Sequence, residues 1–478
     1  MQNISNKSCE EFIALCKETI FELPIESAIE YAEQVGLLLC ANPLGIYSLN
    51  DVEFYLVNAI YPLVPPELKK RKVENRDGKN ILFLATELYL TGGHSRLMER
   101  LALFLDGEAS LFLTKIPCES ILDRERNFFN KVSYFDSKCH SAIDKVFSIL
   151  DVILKYDIVI LNTHQEDIYA IIACGIAKRI NSTVKIIFIN HADHSFSYGS
   201  AVADIWYEIS AYGRYIDRKR ELRAKKCFLG IPIQGADEFN SCGCEFKDGD
   251  LIISAGSNIK FKPIKNQSII KLVHLLLDTY QNSKMQVIGV QPFRDYWWWL
   301  SKLKYRQRLK LSKLLSYPDY LNTTKAAKLY VDSYPIPGGT AFTEQLLQGR
   351  FCVGLESEFK GYTPVEIFKC QKESQVIDCI KKIGEQDFTL IRNMVNDMHG
   401  FINVKRRFLN SVHGDIISTY TYWKECENIN ELKVHRIKHI PYKLKIYKKR
   451  DFRVLFRGAG IFALSIYMLR RYILNKVR

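Results

Sequence analysis

The sequence lacks an apolar run long enough to cross a lipid bilayer. The apolar stretch from Gly458 to Leu469 has only twelve residues, whereas a spanning helix needs roughly 20. The first ten residues are polar and lack the apolar core of a secretory signal peptide. We therefore expect a cytoplasmic protein.

Cysteine pairs with metal-binding spacing are also missing. The 13 Cys are irregularly spaced. Cys242 and Cys244 are too close for an ordinary metal-binding knuckle and have no matching pair nearby. This pattern predicts reduced thiols, no metal site and no cofactor.

Acidic residues are scarce near the C-terminus. The net charge is +14, and the segment from Lys433 to Arg478 contains 14 Lys and Arg but one acid, Asp451. The remainder of the chain is therefore close to neutral. This distribution argues against a protein that binds nucleic acid over its whole surface. A basic segment with Phe, Tyr, Leu and Ile favours a helix on an anionic membrane, and the alternative is a helix docked on the protein.

The most informative stretch runs from Val331 to Gly349, with the sequence VDSYPIPGGTAFTEQLLQG. A short apolar strand ends at Asp332, and two prolines then force an extended turn. Gly338 and Gly339 allow the backbone to approach a ligand closely.

A helix is predicted directly after these glycines. Thr340 is a suitable N-terminal cap, and Gly349 closes the helix. The free N–H groups and the dipole at the start of a helix both favour a phosphate. Because Phe351 to Leu355 follows as a buried strand, the unit has the βαβ form that binds nucleotides. The alternative is an ordinary βα turn.

A second glycine loop lies in the first half of the chain. The strand Ile81 to Ala85 leads through Gly92, Gly93 and His94 into a helix from Arg96 to Leu105. A strand, a glycine turn and a helix are the pattern of a ligand loop at the start of a Rossmann-like domain.

Polar residues follow a strand predicted from Val184 to Ile189. His191, Asp193 and His194 come just after its end, where doubly wound folds place ligand-binding side chains. Three interpretations stay open at this point: a catalytic or acceptor-positioning site, a metal site, and a purely structural turn. Either histidine is a candidate base, with Asp193 as its orienting partner.

The second half opens with a strand from Leu251 to Ala255, followed by Ser257 and two lysines, Lys260 and Lys262. A serine and a lysine at a strand end suit a diphosphate, and we favour Lys262 over Lys260. The alternative is a pair of solvent-facing lysines.

Two further segments are basic. Tyr296 to Trp299 precedes the run from Lys302 to Lys313. Aromatic residues beside cations suit single-stranded nucleic acid, a membrane interface or a sugar face. The interpretation we favour is a helix with one buried and one solvated face. Likewise, a surface helix is predicted from Tyr212 to Lys225, with Arg214, Arg218 and Arg220 on its solvated face.

These motifs resemble the GT-B glycosyltransferases, in particular the O-GlcNAc transferase and bacterial HMW-type branch. The resemblance of the donor loop rests on a D-x-x-P…G-G-T pattern and a glycine that ends the helix, here Asp332, Pro335, Gly338, Gly339, Thr340 and Gly349. That of the first half rests on the Gly92–Gly93–His94 loop and an H-x-D-H-x-F element, here His191, Asp193, His194 and Phe196.

The resemblance implies an α/β protein of the GT-B class, with two Rossmann-like domains facing a central cleft. We expect a helical extension at 1–77, an acceptor domain at 78–235, a donor domain at 236–425 and a basic tail at 426–478. Many retaining members carry two Glu separated by seven residues. Glu344 matches the second position, but Ile336 stands at the first, which favours inversion.

The expected activity is metal-independent transfer of a sugar from a nucleotide sugar, with uridine diphosphate as the favoured nucleotide. The expected acceptor is a surface glycan or a lipid-linked molecule at the inner membrane face. The alternatives are a cytoplasmic protein glycosyltransferase, a non-hydrolysing UDP-sugar epimerase and a non-catalytic sugar-nucleotide-binding protein.

Overall fold

The computed structural model describes most of the chain, namely residues 2–71, 80–90, 93–135, 141–233, 246–264, 266–358, 366, 368–382, 385–414, 416–418 and 434–476. Gly92 and the pair Cys242 and Cys244 lie outside these ranges. So do the sections of the chain at 419–433 and 359–365.

The N-terminal region is helical, as predicted. Its helices are α1 (Gln2–Glu22), α2 (Ile25–Ala41), α3 (Asn50–Ile60) and the short α4 (Pro66–Lys69). Two carboxylates, the buried Glu53 and the partly buried Glu26, attach this region to the first domain. Glu53 accepts the N–H groups of Gly199 and Ala201, and Glu26 accepts those of Ala142 and Ile143.

The first domain is a parallel sheet covered by helices. The described strands are β1 (Ile81–Ala85), β2 (Ala109–Leu113), β3 (Lys131–Tyr134), β4 (Ile158–Asn162), β5 (Lys185–Asn190), β6 (Ile205–Glu208) and β7 (Lys225–Phe228). Their order is β3-β2-β1-β4-β5-β6-β7. The helices are α5 (Gly93–Leu103), α6 (Glu119–Glu125), α7 (Ala142–Ile153), α8 (Ile168–Ile180) and α9 (Ala211–Asp217). Central strands are buried on both faces, which explains their unbroken apolar runs.

The second domain repeats this plan. Its described strands are β8 (Leu251–Ala255), β9 (Lys284–Ile288), β10 (Leu309–Ser312), β11 (Ala327–Val331), β12 (Phe351–Leu355) and β13 (Lys369–Cys370). They are parallel and ordered β10-β9-β8-β11-β12-β13. The helices are α10 (Asn258–Phe261), α11 (Ile270–Thr279), α12 (Trp299–Tyr305), α13 (Tyr317–Lys325), α14 (Gly339–Leu347), α15 (Glu373–Lys382), α16 (Glu385–His399) and α17 (Phe401–His413). A 3-10 turn, Tyr296–Trp298, precedes α12.

Each sheet reverses its strand order at one place, between β1 and β4 in the first and between β8 and β11 in the second. Loops that follow strands at such a point diverge and leave a crevice. The chain therefore places its two glycine loops, which follow β1 and β11, at the crevices of the two sheets.

A late helix, α17, begins at Phe401 and contacts the first domain. Arg407 of this helix donates to the carbonyl oxygen of Leu229, and Lys185 donates to that of Ser411. These contacts hold the last part of the predicted donor-domain range against the acceptor domain.

The basic C-terminal segment forms two helices, α18 (Lys449–Ala459) and α19 (Ile461–Lys476), separated at Gly460. Helix α18 packs along α1, with Gly458 against Cys9. In the part of the chain that the structure describes, no helix has the length and hydropathy of a transmembrane span.

Candidate active site

A cavity of about 500 Å³ lies between the two sheets. Both glycine loops reach it, and so does the segment after β5. Its polar lining includes Gly93, His94, Arg96, His191, His194, Ser257, Lys260, Tyr317, Tyr320, Gly339, Thr340 and Glu344. The structure thus brings together side chains that the sequence places up to about 250 residues apart, in a space of the size typical for a small-molecule site.

Asp332 shapes the later glycine loop from behind. Its Oδ1 accepts the N–H groups of Ser333 and Gly338, both at 2.8 Å. Its Oδ2 lies 3.0 Å from the Nζ of Lys369. Asp332 is buried and outside the cavity lining, so its place in the structure is that of a loop support rather than a ligand contact.

The two glycines have different roles. The N–H of Gly338 is already bound by Asp332, and a Cβ at Gly338 would come within 3.0 Å of that carboxylate. Gly339 and Thr340 line the cavity as the first residues of α14. Their N–H groups have no acceptor within the helix, which leaves them for an anion. Pro335 is buried beneath the loop, where its carbonyl accepts Ser357.

A second helix N-terminus meets the first across the cleft. Gly93 begins α5, and a Cβ added to it would lie 3.3 Å from the hydroxyl of Thr340. Two helix dipoles therefore point their positive ends at one space. Gly93 admits this approach because it has no side chain.

Lys260, not Lys262, reaches the cavity. Lys260 donates from its Nζ to the carbonyl of Pro337 at 3.0 Å, and burial lowers its pKa. Lys262 is exposed at the end of α10 and does not contribute to the lining. The preference for Lys262 over Lys260 is thus not supported by the placement. Ser257 lines the cavity beside Lys260.

Histidines form the opposite wall. His191 and His94 lie with ring centroids 4.2 Å apart, and His164 lies 6.0 Å from His94. Burial lowers the pKa of His94 to about 4 and holds that of His191 well below its usual range. The Nδ1 atoms of His94 and His191 are buried without a hydrogen-bond partner among the described residues. Both imidazoles are therefore neutral near pH 7 and can each accept a proton on a ring nitrogen, and the lowered pKa makes them weaker bases than an ordinary His.

Asp193 and His194 are arranged differently. The Asp193 Oδ1 lies 3.6 Å from the Nδ1 of His194, and its Oδ2 accepts the hydroxyl of Ser210. Ser210 also caps α9. Asp193 therefore ties the turn that carries both histidines to the start of α9, and His194 remains partly exposed at the cavity wall.

No protein-family model and no curated protein matches the sequence, but solved structures match the fold. Alr3699/HepE of Anabaena, in complex with UDP and glucose, is 14% identical with a TM-score of 0.51, over 70% of this chain and 100% of that one. A glycosyltransferase from Rickettsia africae is 11% identical with a TM-score of 0.51, over 73% and 100%. An O-GlcNAc transferase from Thermobaculum terrenum is 12% identical with a TM-score of 0.49, over 88% and 82%.

The chain has the GT-B fold. The two parallel-sheet domains with a shared cleft, which the resemblance to GT-B enzymes implies, are confirmed.

The sequence patterns did not predict a polar cluster in this GT-B cleft, formed by Arg100, Tyr317 and Glu344. Arg100 on α5 donates to the carboxylate of Glu344 at 3.3 Å and to the hydroxyl of Tyr317 at 2.9 Å. The hydroxyl of Tyr317 also donates to Glu344 at 2.5 Å. Arg96 stacks over the Tyr317 ring, 4.1 Å from its centroid. Glu344 is thus a cavity residue that also joins the two domains.

Arg220 was wrongly assigned to a solvated face. It is completely buried, and its guanidinium donates to the carbonyls of Tyr47 and Ser195 and to the carboxylate of Asp217. It fixes the turn after His194 against the N-terminal extension. The nearby Asp217 was the available sequence signal, because an Arg three residues after an Asp is a possible ion pair.

The structure contains no cluster of three or more His, Cys, Asp and Glu with metal-binding geometry among the residues it describes.

Proposed function

We propose that the protein is a glycosyltransferase that transfers a sugar from a UDP-linked donor to an acceptor hydroxyl, with inversion and without a metal. The observation that supports this proposal most is the convergence of two helix N-termini and Lys260 on one cavity that His191 also lines. Positive potential for a leaving diphosphate and a base for an acceptor thereby face each other across the cleft.

In this proposal, the diphosphate of the donor accepts hydrogen bonds from the N–H groups of Gly339 and Thr340. Lys260 supplies the positive charge that neutralises it, and Ser257 donates a further hydrogen bond. The nucleoside lies against the wall formed by Tyr317, Tyr320, Leu314 and Leu315, where aromatic and aliphatic side chains suit a base. We propose UDP as the nucleotide of the donor because Alr3699/HepE, which is similar in fold, has been solved in complex with UDP and with UDP-glucose.

In the proposed reaction, a ring nitrogen of His191 takes the proton of the acceptor hydroxyl. The resulting oxygen forms a bond to the anomeric carbon while the bond from that carbon to the diphosphate oxygen breaks. The helix dipoles and Lys260 stabilise the negative charge on the leaving diphosphate. This arrangement assigns the charge stabilisation to protein groups, so we expect turnover to survive chelation of divalent cations.

The acceptor is proposed to be a glycan or a lipid-linked molecule at an anionic membrane. Helix α19 buries Ala463, Leu464 and Tyr467 and exposes Phe462 and Leu469 on its other side. With the surrounding Lys and Arg, this exposed face suits the surface of an anionic bilayer. It supports the membrane contact predicted for residues 433–478.

The donor site is tested by comparing Lys260→Met with Lys262→Met. Both changes remove one positive charge from the same short segment, but only Lys260 lines the cavity. We expect Lys260→Met to weaken UDP binding by roughly tenfold to a hundredfold, as charge-assisted hydrogen bonds contribute about 1.5–3 kcal/mol.

The measurement is thermal stabilisation by UDP, UDP-sugars and, as comparisons, GDP and CMP compounds. A ligand at 100 times its dissociation constant stabilises by about 2.7 kcal/mol. If no nucleotide raises the melting temperature of the unmodified protein, the donor site is rejected. If Lys262→Met weakens binding as much as Lys260→Met does, the role assigned to Lys260 is wrong.

A further inference from the structure

The second domain carries an exposed apolar surface that the proposed reaction does not use. It consists of Phe293, Tyr296, Trp299, Leu300 and Leu303, and we call it the Trp299 surface. Phe293 is 90% exposed, Leu300 78% and Leu303 71%. Single exposed apolar residues are common, but five within eleven positions form the kind of patch that marks an interaction site.

The surface is presented by a fixed helix. Just before α12, Trp298 of the 3-10 turn is buried and packs edge-on against Phe261, with 6.0 Å between ring centroids. Ser301 lies 2.8 Å from a ring nitrogen of His274, and Tyr305 donates to the carbonyl of His274. Leu300 and Leu303 are exposed on the outer side of α12, three positions apart, and Tyr296 is exposed on the 3-10 turn that precedes them.

The exposed charged side chains of the segment that carries the Trp299 surface are all cations, and one of them is paired with an exposed acid from outside it, Asp278. Residues 291–314 include a single acid, Asp295, which is buried. Its exposed cations are Arg294, Lys302, Lys304, Arg306, Lys310 and Lys313. Of these, Lys304 pairs with Asp278. An apolar patch containing Trp and Tyr, with a cationic border, complements an anionic lipid surface.

The surface begins close to the cleft. Strand β9 ends at Ile288, which lines the cavity, and Phe293 follows five residues later. Phe261, the contact of Trp298, lies in α10 directly after Lys260. A membrane bound at the Trp299 surface would therefore be held by the domain that carries the donor site.

We propose that the Trp299 surface is a membrane-docking site for anionic phospholipid on the donor domain, separate from the C-terminal helices. The aromatic and leucine side chains enter the headgroup region, and the bordering cations face the lipid phosphates. Two attachment sites on one protein suit stable binding, since one weak signal alone gives marginal and reversible membrane association.

The test is flotation of the full chain with vesicles of phosphatidylcholine alone or of phosphatidylcholine mixed with phosphatidylglycerol. The variants are Leu300→Glu and Leu303→Glu. The matched control is Leu390→Glu, because Leu390 is 60% exposed on α16, outside the surface. We expect each surface variant to reduce partitioning onto anionic vesicles about tenfold or more, in line with the loss of one buried Leu, and the control to behave as the unmodified protein.

Phe462→Glu and Leu469→Glu, both on α19, measure the contribution of the C-terminal helices separately from that of the Trp299 surface. Addition of a tail change to Leu300→Glu is expected to remove the binding that remains. If only the tail variants reduce flotation, or if Leu390→Glu is equally damaging, the proposal is overturned. The unmodified protein could also form an oligomer that Leu300→Glu dissociates while flotation stays unchanged. That result would assign the surface to self-association instead.

A fluorescence readout tests insertion directly. Anionic vesicles should shift the emission of the unmodified protein to shorter wavelength, and Trp299→Phe should lose most of that shift. An unchanged shift in Trp299→Phe would exclude insertion of this surface. UDP stabilisation of every variant, measured without lipid, reports separately on folding and on the proposed donor site.

Discussion

At the residue scale, the two histidines of the turn after β5 differ in their surroundings. His191 lies against His94, and its Nδ1 is buried. His194 lies beside Asp193 and is partly exposed. Burial is the main reason why the pKa of His191 is lowered, and the neighbouring His94 and His164 lower it further. A lowered pKa keeps the base form of His191 populated in mildly acidic solution.

This leads to a prediction for the pH dependence of transfer. Because the folded-state pKa of His191 is depressed, we expect the acid limb of kcat/KM to lie below about 6.5, the ordinary His value. His191→Asn should reduce kcat about 10²- to 10⁴-fold and leave UDP affinity unchanged. If the acid limb of the kcat/KM profile has a pKa at or above about 6.5, or if His191→Asn turns over as fast as the unmodified protein, the base is another group.

Arg220 yields a prediction about stability. Its removal leaves Asp217 buried without its cation and releases the carbonyls of Tyr47 and Ser195. We expect Arg220→Leu to destabilise the fold by about 3–5 kcal/mol, measured by chemical denaturation. Arg218→Leu is the control, since Arg218 is exposed on the same turn, and equal effects of the two changes would contradict the assignment.

At the element scale, helices α5 and α6 contact each other through two buried acids, Glu99 on α5 and Glu125 on α6. Burial and the charge of Glu99 raise the pKa of Glu125 to about 9, while Arg124 binds Glu99 at 2.7 Å. The same Arg124 donates to the carbonyl of Leu90, just before the first glycine loop. A proton on Glu125 thus relieves the repulsion beneath the helix that starts at Gly93.

The sign of this effect predicts a fall in stability with pH. The folded state holds the Glu125 proton more tightly than the unfolded chain, so the stabilisation is present below about 4.5 and is lost as pH rises through about 9. Melting temperatures across this window should fall less steeply for Glu125→Gln than for the unmodified protein. Glu119→Gln, an exposed change on the same helix, should keep the original slope, and parallel curves for all three would reject this linkage.

At the scale of the whole molecule, the two ends of the chain form one unit. The side chain of Asn42 accepts the N–H groups of Lys438 and His439 and donates to the carbonyl of His439. Val434 donates to the carbonyl of Pro43. The basic segment is therefore docked on the N-terminal helices, which present its remaining apolar face to solvent.

We expect Asn42→Ala to loosen this docking. Loss of three hydrogen bonds at about 0.5–1.5 kcal/mol each should increase amide hydrogen exchange in α18 and along α1. Exchange in the sheet of the second domain should not change. Asn127→Ala, which removes only local contacts to α6 carbonyls, is the control. Unchanged exchange in α18 would show that the helix packing alone holds the tail.

Local pattern was enough to predict the elements that carry the site. The strands before both glycine loops, the presence of a helix after each and the polar turn at His191 depend on residues that are neighbours in the chain. The predicted helix starts were too late: α5 begins at Gly93 rather than Arg96, and α14 is capped by Gly338 rather than Thr340. The prediction of one helix from Tyr212 to Lys225 was wrong. Helix α9 ends at Asp217 and β7 starts at Lys225, because this segment must supply a strand beside β6.

The sequence by itself determined the class of fold, since buried strands and glycine turns follow from local composition and periodicity. Only the tertiary structure decided which groups face the cleft. Lys260 reaches the carbonyl of Pro337 across 77 positions, and Arg100 reaches Glu344 across 244. Such pairs depend on how two sheets pack together, and no local pattern distinguishes Lys260 from Lys262 before that packing exists.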